Sequence, residues 1–129
     1  MERLNLFVAF ILAAAFVAIG MQSSSEPAFD PWFEQAVLKN SRPVVVKFGA
    51  EWCPPCRAMD ESLNHLQGRF PQARFVKISV DDKGELFRQY RSGSGIPQIL
   101  IFRNGEVVAH ERGFGGQDRL AAWLNSNLN

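Results

Sequence analysis

Val44-Val45-Val46-Lys47-Phe48-Gly49-Ala50-Glu51-Trp52-Cys53-Pro54-Pro55-Cys56 decides how this chain is read. Pro43 to Phe48 is a short β-branched and apolar run, the pattern of a strand buried on both faces. From Cys56 onward Met59, Leu63, Leu66 and Phe70 recur at steps of three and four, which marks one face of a helix. The only two cysteines of the 129 residues therefore fall between a buried strand and the first turn of a helix. Free N–H groups and the positive end of the helix dipole stabilise a thiolate there. Such placement lowers a cysteine pKa from ~8.5 into roughly the 3.5–7.5 range, where the thiol is reactive. The residues point to thiol–disulfide exchange, with Cys53 and Cys56 as the reacting pair.

Blander uses of two cysteines fit less well. A structural disulfide across two intervening residues closes a tiny loop and gains little from chain entropy. A zinc site needs four ligands at workable spacing, and His65 and His110 are far apart in sequence and belong to no ligand pair. No metal and no organic cofactor is expected.

Composition sets the outer limits. Apolar residues make up 47% and charged residues 21%, and eleven Phe with three Trp can build a core. The net charge of +1 gives no electrostatic case for nucleic acid. The chain divides into residues 1–21, 22–28 and 29–129. Leu6 to Met21 is uninterrupted by polar residues and follows Arg3, as in an export signal or a membrane anchor. Its length is at the top for a cleaved signal core and just short of a comfortable span. Ala18-Ile19-Gly20 offers a small-x-small cleavage site, and no cysteine follows for a lipid. Either way the domain is expected in an extracytoplasmic, periplasmic or secreted setting that permits disulfides, with residues 4–21 as a membrane tether if retained. Residues 22–28, with three serines and Pro27, read as a linker.

The rest alternates helix and strand. Asp30-Pro31 supplies a cap and a first-position proline for a helix to about Lys39. A strand at Ala73–Val80, a short helix at Lys83–Arg91 and a strand at Gln98–Arg103 follow the dithiol helix. Asn104-Gly105 is a two-residue hairpin signal that returns the chain as Glu106–Glu111. Gly113, Gly115 and Gly116 form a loop near the redox face, and Gln117–Leu128 closes as an amphipathic helix. The expected fold is α/β, a central mixed sheet with helices on both faces.

Ala50-Glu51-Trp52-Cys53-Pro54-Pro55-Cys56, Gly95-Ile96-Pro97 and Phe102-Arg103-Asn104-Gly105-Glu106-Val107 together resemble the thioredoxin family, over nearly everything from Phe29 to Leu128. Relatives in cytochrome maturation, peroxiredoxin-like proteins, tryparedoxins and nucleoredoxins usually carry an insertion between the dithiol and the Ile-Pro pair. None fits between Cys56 and Pro97, so the chain resembles a minimal thioredoxin behind an export segment. The resemblance implies a cis Ile96-Pro97 bond facing the dithiol, and a substrate surface formed by Trp52, Pro54, Pro55, Ile96 and Pro97. It implies protein thiols and disulfides as substrates, an upstream redox partner, and a monomer. Cys53, nearer the helix start and more exposed, would begin exchange and Cys56 would resolve it.

The sequence departs from the family at three points. Pro54 stands for the usual glycine, Glu61 for a helix proline, and Lys47 for a buried acid thought to help deprotonate the second cysteine. Lys77 matches the family's lysine on the next strand. Lys47 is therefore read as a redox-tuning residue, unless its long stem carries the ammonium out to solvent. The acidic pairs Asp60-Glu61 and Asp81-Asp82 are read as solvated, and His65 as exposed. A different class of function, a tethered binding or chaperone module with an incidental dithiol, would keep the apolar groove and lose turnover.

Overall fold

The computed structural model describes residues 27–129. The export or anchor segment 1–21 and most of the linker lie outside the described residues. Asp30 opens the first helix, α1 (Pro31–Phe33), its Oδ1 accepting the Phe33 N–H at 2.9 Å. The Lys83 side chain bonds the same carboxylate, and this bond, with the Phe33 amide, holds the Asp30 carboxyl below its ordinary range. The expected helix does not run on as α to Lys39. It widens into a π-helical stretch, Glu34–Leu38, closed by Lys39 N–H on the Glu34 carbonyl at 2.8 Å. One residue more per turn leaves Phe33, Ala36 and Val37 all facing the core.

Four strands follow: β1 (Val44–Gly49), β2 (Arg74–Ser79), β3 (Gln98–Arg103) and β4 (Glu106–Arg112), in the order β2-β1-β3-β4. β1 runs parallel to β2 and antiparallel to β3, and β3 antiparallel to β4, so the sheet is mixed as the sequence predicts. Between them lie α2 (Pro54–Leu66) with a 3₁₀ turn at Gln67–Arg69, and α3 (Gly84–Tyr90); α4 (Gln117–Leu128) ends the chain. Phe70, placed by periodicity on the α2 face, lies beyond the helix yet is buried in the same cluster.

Alternation along β1 sorts its side chains. Val44, Val46 and Phe48 pack with Phe33, Val37, Leu86, Phe87, Leu100 and Phe102 on one face. Val45 packs with Met59, Leu63, Ile99, Ile101, Leu120 and Leu124 on the other, under α2 and α4. The hairpin forms as its sequence dictates, with Asn104 at φ 51° and Gly105 at φ 80°, the left-handed pair that a twisted two-residue turn needs. A register shift between Ile101 and Phe102 leaves Val108 bulged on the exposed edge strand.

Candidate functional site

α2 begins at Pro54, with Cys53 as its N-cap and Cys56 in its first turn, where the sequence places the pair. Two prolines at the first helical positions have no N–H to leave unpaired, and their fixed φ suits the turn. The Cys53 backbone is extended (φ −96°, ψ 109°), and its Sγ accepts the Cys56 N–H at 3.3 Å. The two cysteines are joined as a disulfide, with Cα atoms 5.2 Å apart. Cys53 is 5% exposed and Cys56 not at all, so Cys53 is the more reachable sulfur by a small margin. Ala50, Val80 and Ile96 pack around the pair.

Around it the surface is apolar and pinned. Trp52 is 67% exposed, and its Nε1–H donates to Asp81 Oδ2 at 2.9 Å. Asp81 is exposed, as expected of that acidic pair, and in addition fixes the indole beside the dithiol. Pro54 and Pro55 are exposed next to it. The Ile96–Pro97 bond is cis. Ile96 is half-buried against the dithiol cluster, and Pro97 is buried with its carbonyl accepting the Gly113 N–H at 2.8 Å. That bond brings the glycine loop to the redox face.

Lys47 lies on the α2 side of β1, opposite Lys77 on β2 and Ile99 on β3. Its stem does not carry the charge to solvent; the residue is only 4% exposed. The ammonium Nζ sits 2.7 Å from Asp60 Oδ1. A Cβ on Gly49 would lie 2.7 Å from that Nζ and 3.1 Å from Cys56 Sγ, so the cation and the buried sulfur crowd the same point. Asp60 comes from α2, one turn beyond Cys56. Its Oδ1 is shielded from water and accepts no aligned hydrogen bond, so the nearby cation is its main compensation. Glu61 is solvated as expected, whereas Asp60 is half-buried, with its Oδ1 turned from water towards Lys47. The two charges line a cleft of about 300 Å³ with Gly49, Lys77 and Asp82. Lys77 turns away, donating to Asn64 Oδ1 at 2.9 Å.

His65 is exposed on α2, with Nδ1 3.4 Å from Gln117 Oε1. His110 is half-buried; burial, and then the charge of Arg112, push its pKa below the ordinary value. Among the described residues no three His, Cys, Asp or Glu side chains gather where they could hold a metal. Sequence reasoning missed Asp60, Asp81 and Gln98, each a polar residue whose partner lies on another element. Only Gln98 had a signal, an amide inside a strand expected to be apolar.

The thioredoxin family model matches residues 25–126. A thioredoxin of Rickettsia bellii is 33% identical over 100 residues, covering 77% of this chain and 94% of its own. One of Pseudomonas aeruginosa is 35% identical over 103 residues, covering 77% and 92%. One of Acidithiobacillus ferridurans is 36% identical over 100 residues, with the same coverage.

Proposed function

The chain belongs to the thioredoxin family and is a thiol–disulfide oxidoreductase, and from that premise we propose that it exchanges disulfides with protein substrates outside the cytoplasm, Cys53 opening the exchange and Cys56 closing it. The observation that carries the assignment of roles is Cys53 at the N-cap of α2, with Cys56 one turn inside and wholly covered. In the reducing direction the Cys53 thiolate attacks a substrate disulfide. A Cys53–substrate disulfide forms, and one substrate sulfur leaves as a thiolate and takes up a proton. The Cys56 thiolate then attacks the Cys53 sulfur, closes the disulfide seen in the structure, and releases the second substrate thiolate. Two electrons pass from the dithiol to the substrate, and an upstream dithiol partner returns them. The reverse sequence oxidises a substrate dithiol.

The exposed Trp52 ring and Pro54, Pro55, Ile96 and Pro97 form the contact surface, and the Ile96 backbone pairs with an extended substrate segment as a short added strand. Lys47 favours the Cys56 thiolate over the thiol, which stabilises the reduced pair. Each pKa unit so gained is ~1.4 kcal/mol, or roughly 30 mV for a two-electron couple. The pair is then more oxidising than a typical thioredoxin at about −270 mV. Residues 1–21 direct export or anchor the chain, which suits a dithiol meant to cycle in an oxidising compartment.

Insulin reduction tests the roles. Cys53→Ser abolishes turnover, while Cys56→Ser traps mixed disulfides visible on a non-reducing gel. Parent-rate turnover by Cys53→Ser would sink the assignment. A reporter fused after Pro27 and recovered in the cytoplasm would sink the location.

A further inference from the structure

The segment that delivers Ile96 to the dithiol is Ser92-Gly93-Ser94-Gly95. It has almost no side chain to hold it, and Gly93 and Gly95 take φ values of 68° and 95° that only glycine adopts freely. It is gripped instead by a residue on the far side of Pro97. Gln98, the first residue of β3, is wholly buried. Its Oε1 accepts the Ser92 N–H at 3.0 Å and lies 2.8 Å from His110 Nε2. Its Nε2 donates to the Ser92 carbonyl at 3.3 Å and to the Gly95 carbonyl at 3.0 Å. Both lone-pair positions and both N–H groups of the amide are used. The Ser92 N–H and the two carbonyls fix which end of the amide is oxygen, so His110 must carry its proton on Nε2.

Arg112, opposite Gln98 on β4, closes the grip. Its Nη1 donates to the Ser92 carbonyl at 3.3 Å and sits 2.6 Å from where a Cβ on Gly93 would be. Three side chains from the β3–β4 hairpin thus hold a loop that makes no regular structure of its own. A buried amide with every bond made is rigid, and a flexible loop tied to it inherits that rigidity.

We infer that Gln98, backed by His110 and Arg112, is a positioning residue that sets the Ile96 backbone for strand pairing and so favours polypeptide disulfides over small ones. The inference rests on the proposed pairing of Ile96 with substrate. Gln98 touches neither substrate nor sulfur; it acts through the loop. A small disulfide without a peptide backbone has nothing to pair with Ile96 and does not sense the clamp.

The test compares insulin with bis(hydroxyethyl) disulfide on the intact chain. Gln98→Met keeps length and burial and removes all four bonds. Its KM for insulin rises about tenfold with kcat nearly held, while kcat/KM for the small disulfide stays within about twofold. The potential against glutathione does not move. His110→Phe and Arg112→Met, each losing one bond to the clamp, raise the insulin KM about threefold, and His110→Gln, which keeps an N–H donor, restores it. These two substitutions decide the matter if Gln98→Met does not fold. An unchanged insulin KM, an equal loss on both substrates, or a shifted potential overturns the clamp. A parent that turns over the small disulfide but not insulin removes the pairing premise, and the clamp with it.

Discussion

The two faces of the sheet each bury a core and are unlike in kind. On the face under α1 and α3, aromatic rings tile the core: Phe33 with Tyr90 at 5.3 Å, Phe33 with Phe102 at 5.6 Å, Phe48 with Phe87 at 5.5 Å, Tyr90 with Phe102 at 5.2 Å. On the face under α2 and α4 the packing is mainly aliphatic, and β1 spends a position on Lys47 beside Cys56. One strand serves both. Val44, Val46 and Phe48 give one face its cohesion, and Val45, Lys47 and Gly49 give the other a charge and a gap next to sulfur. Burying an ammonium costs several kcal/mol unless it is paired, and the ion pair with Asp60 only offsets that cost. The difference teaches that stability and reactivity are divided by the parity of residue number along β1.

Substitutions on the two faces can break that division. Phe48→Ala should cost about 3–5 kcal/mol in urea unfolding, since a wholly buried ring leaves a cavity. The potential of the folded fraction should stay at the parent value. Lys47→Met should behave in the opposite way. It should lose less stability than Phe48→Ala, because an apolar chain replaces a desolvated ammonium and the carboxylate left without its cation, Asp60, is about a third exposed to solvent. Its potential against glutathione should fall by roughly 30 mV for each pKa unit the ammonium had contributed. If Lys47→Met unfolds like Phe48→Ala and leaves the potential alone, the faces do not differ as described.

Asp60→Asn sharpens the same point with a smaller effect of opposite sign. Without its counter-ion the ammonium acts more strongly on Cys56, so the potential should rise. Asp60 is about a third exposed, and solvent mutes the change. Equal signs for the two substitutions would separate Lys47 from the sulfur. The smallest effect is expected at the edge of the aromatic face, where His110 lies opposite Leu100. Its folded pKa is depressed, so the unfolded chain binds more protons just below the ordinary histidine pKa. Its contribution to stability is complete above about pH 6.5 and is lost as pH falls towards its folded pKa. The urea midpoint of the parent should fall relative to that of His110→Gln in that window; parallel curves would show that His110 titrates normally.

Much of this was legible beforehand. The bounds of α4 follow from Leu120, Leu124 and Leu128, and the hairpin follows from Asn104-Gly105, because both signals are local. The position of the dithiol was legible for the same reason. Periodicity says which face a residue takes but not whom it meets there. Lys47 could be flagged as buried, yet Asp60 looked like any helix acid, since their meeting depends on how α2 packs over β1. Asp81 and Trp52 lie on different loops, and no local pattern joins them. The π-helical stretch escaped because one wider turn leaves the buried positions of α1 unchanged.

Asp30, the cap of α1, is bonded to Lys83, two residues beyond the Asp81 that holds Trp52. A single turn, Asp81 to Lys83, thus serves both the cap of α1 and the indole beside the dithiol, and a partner that shifts Trp52 loads the same turn that holds the start of the first helix.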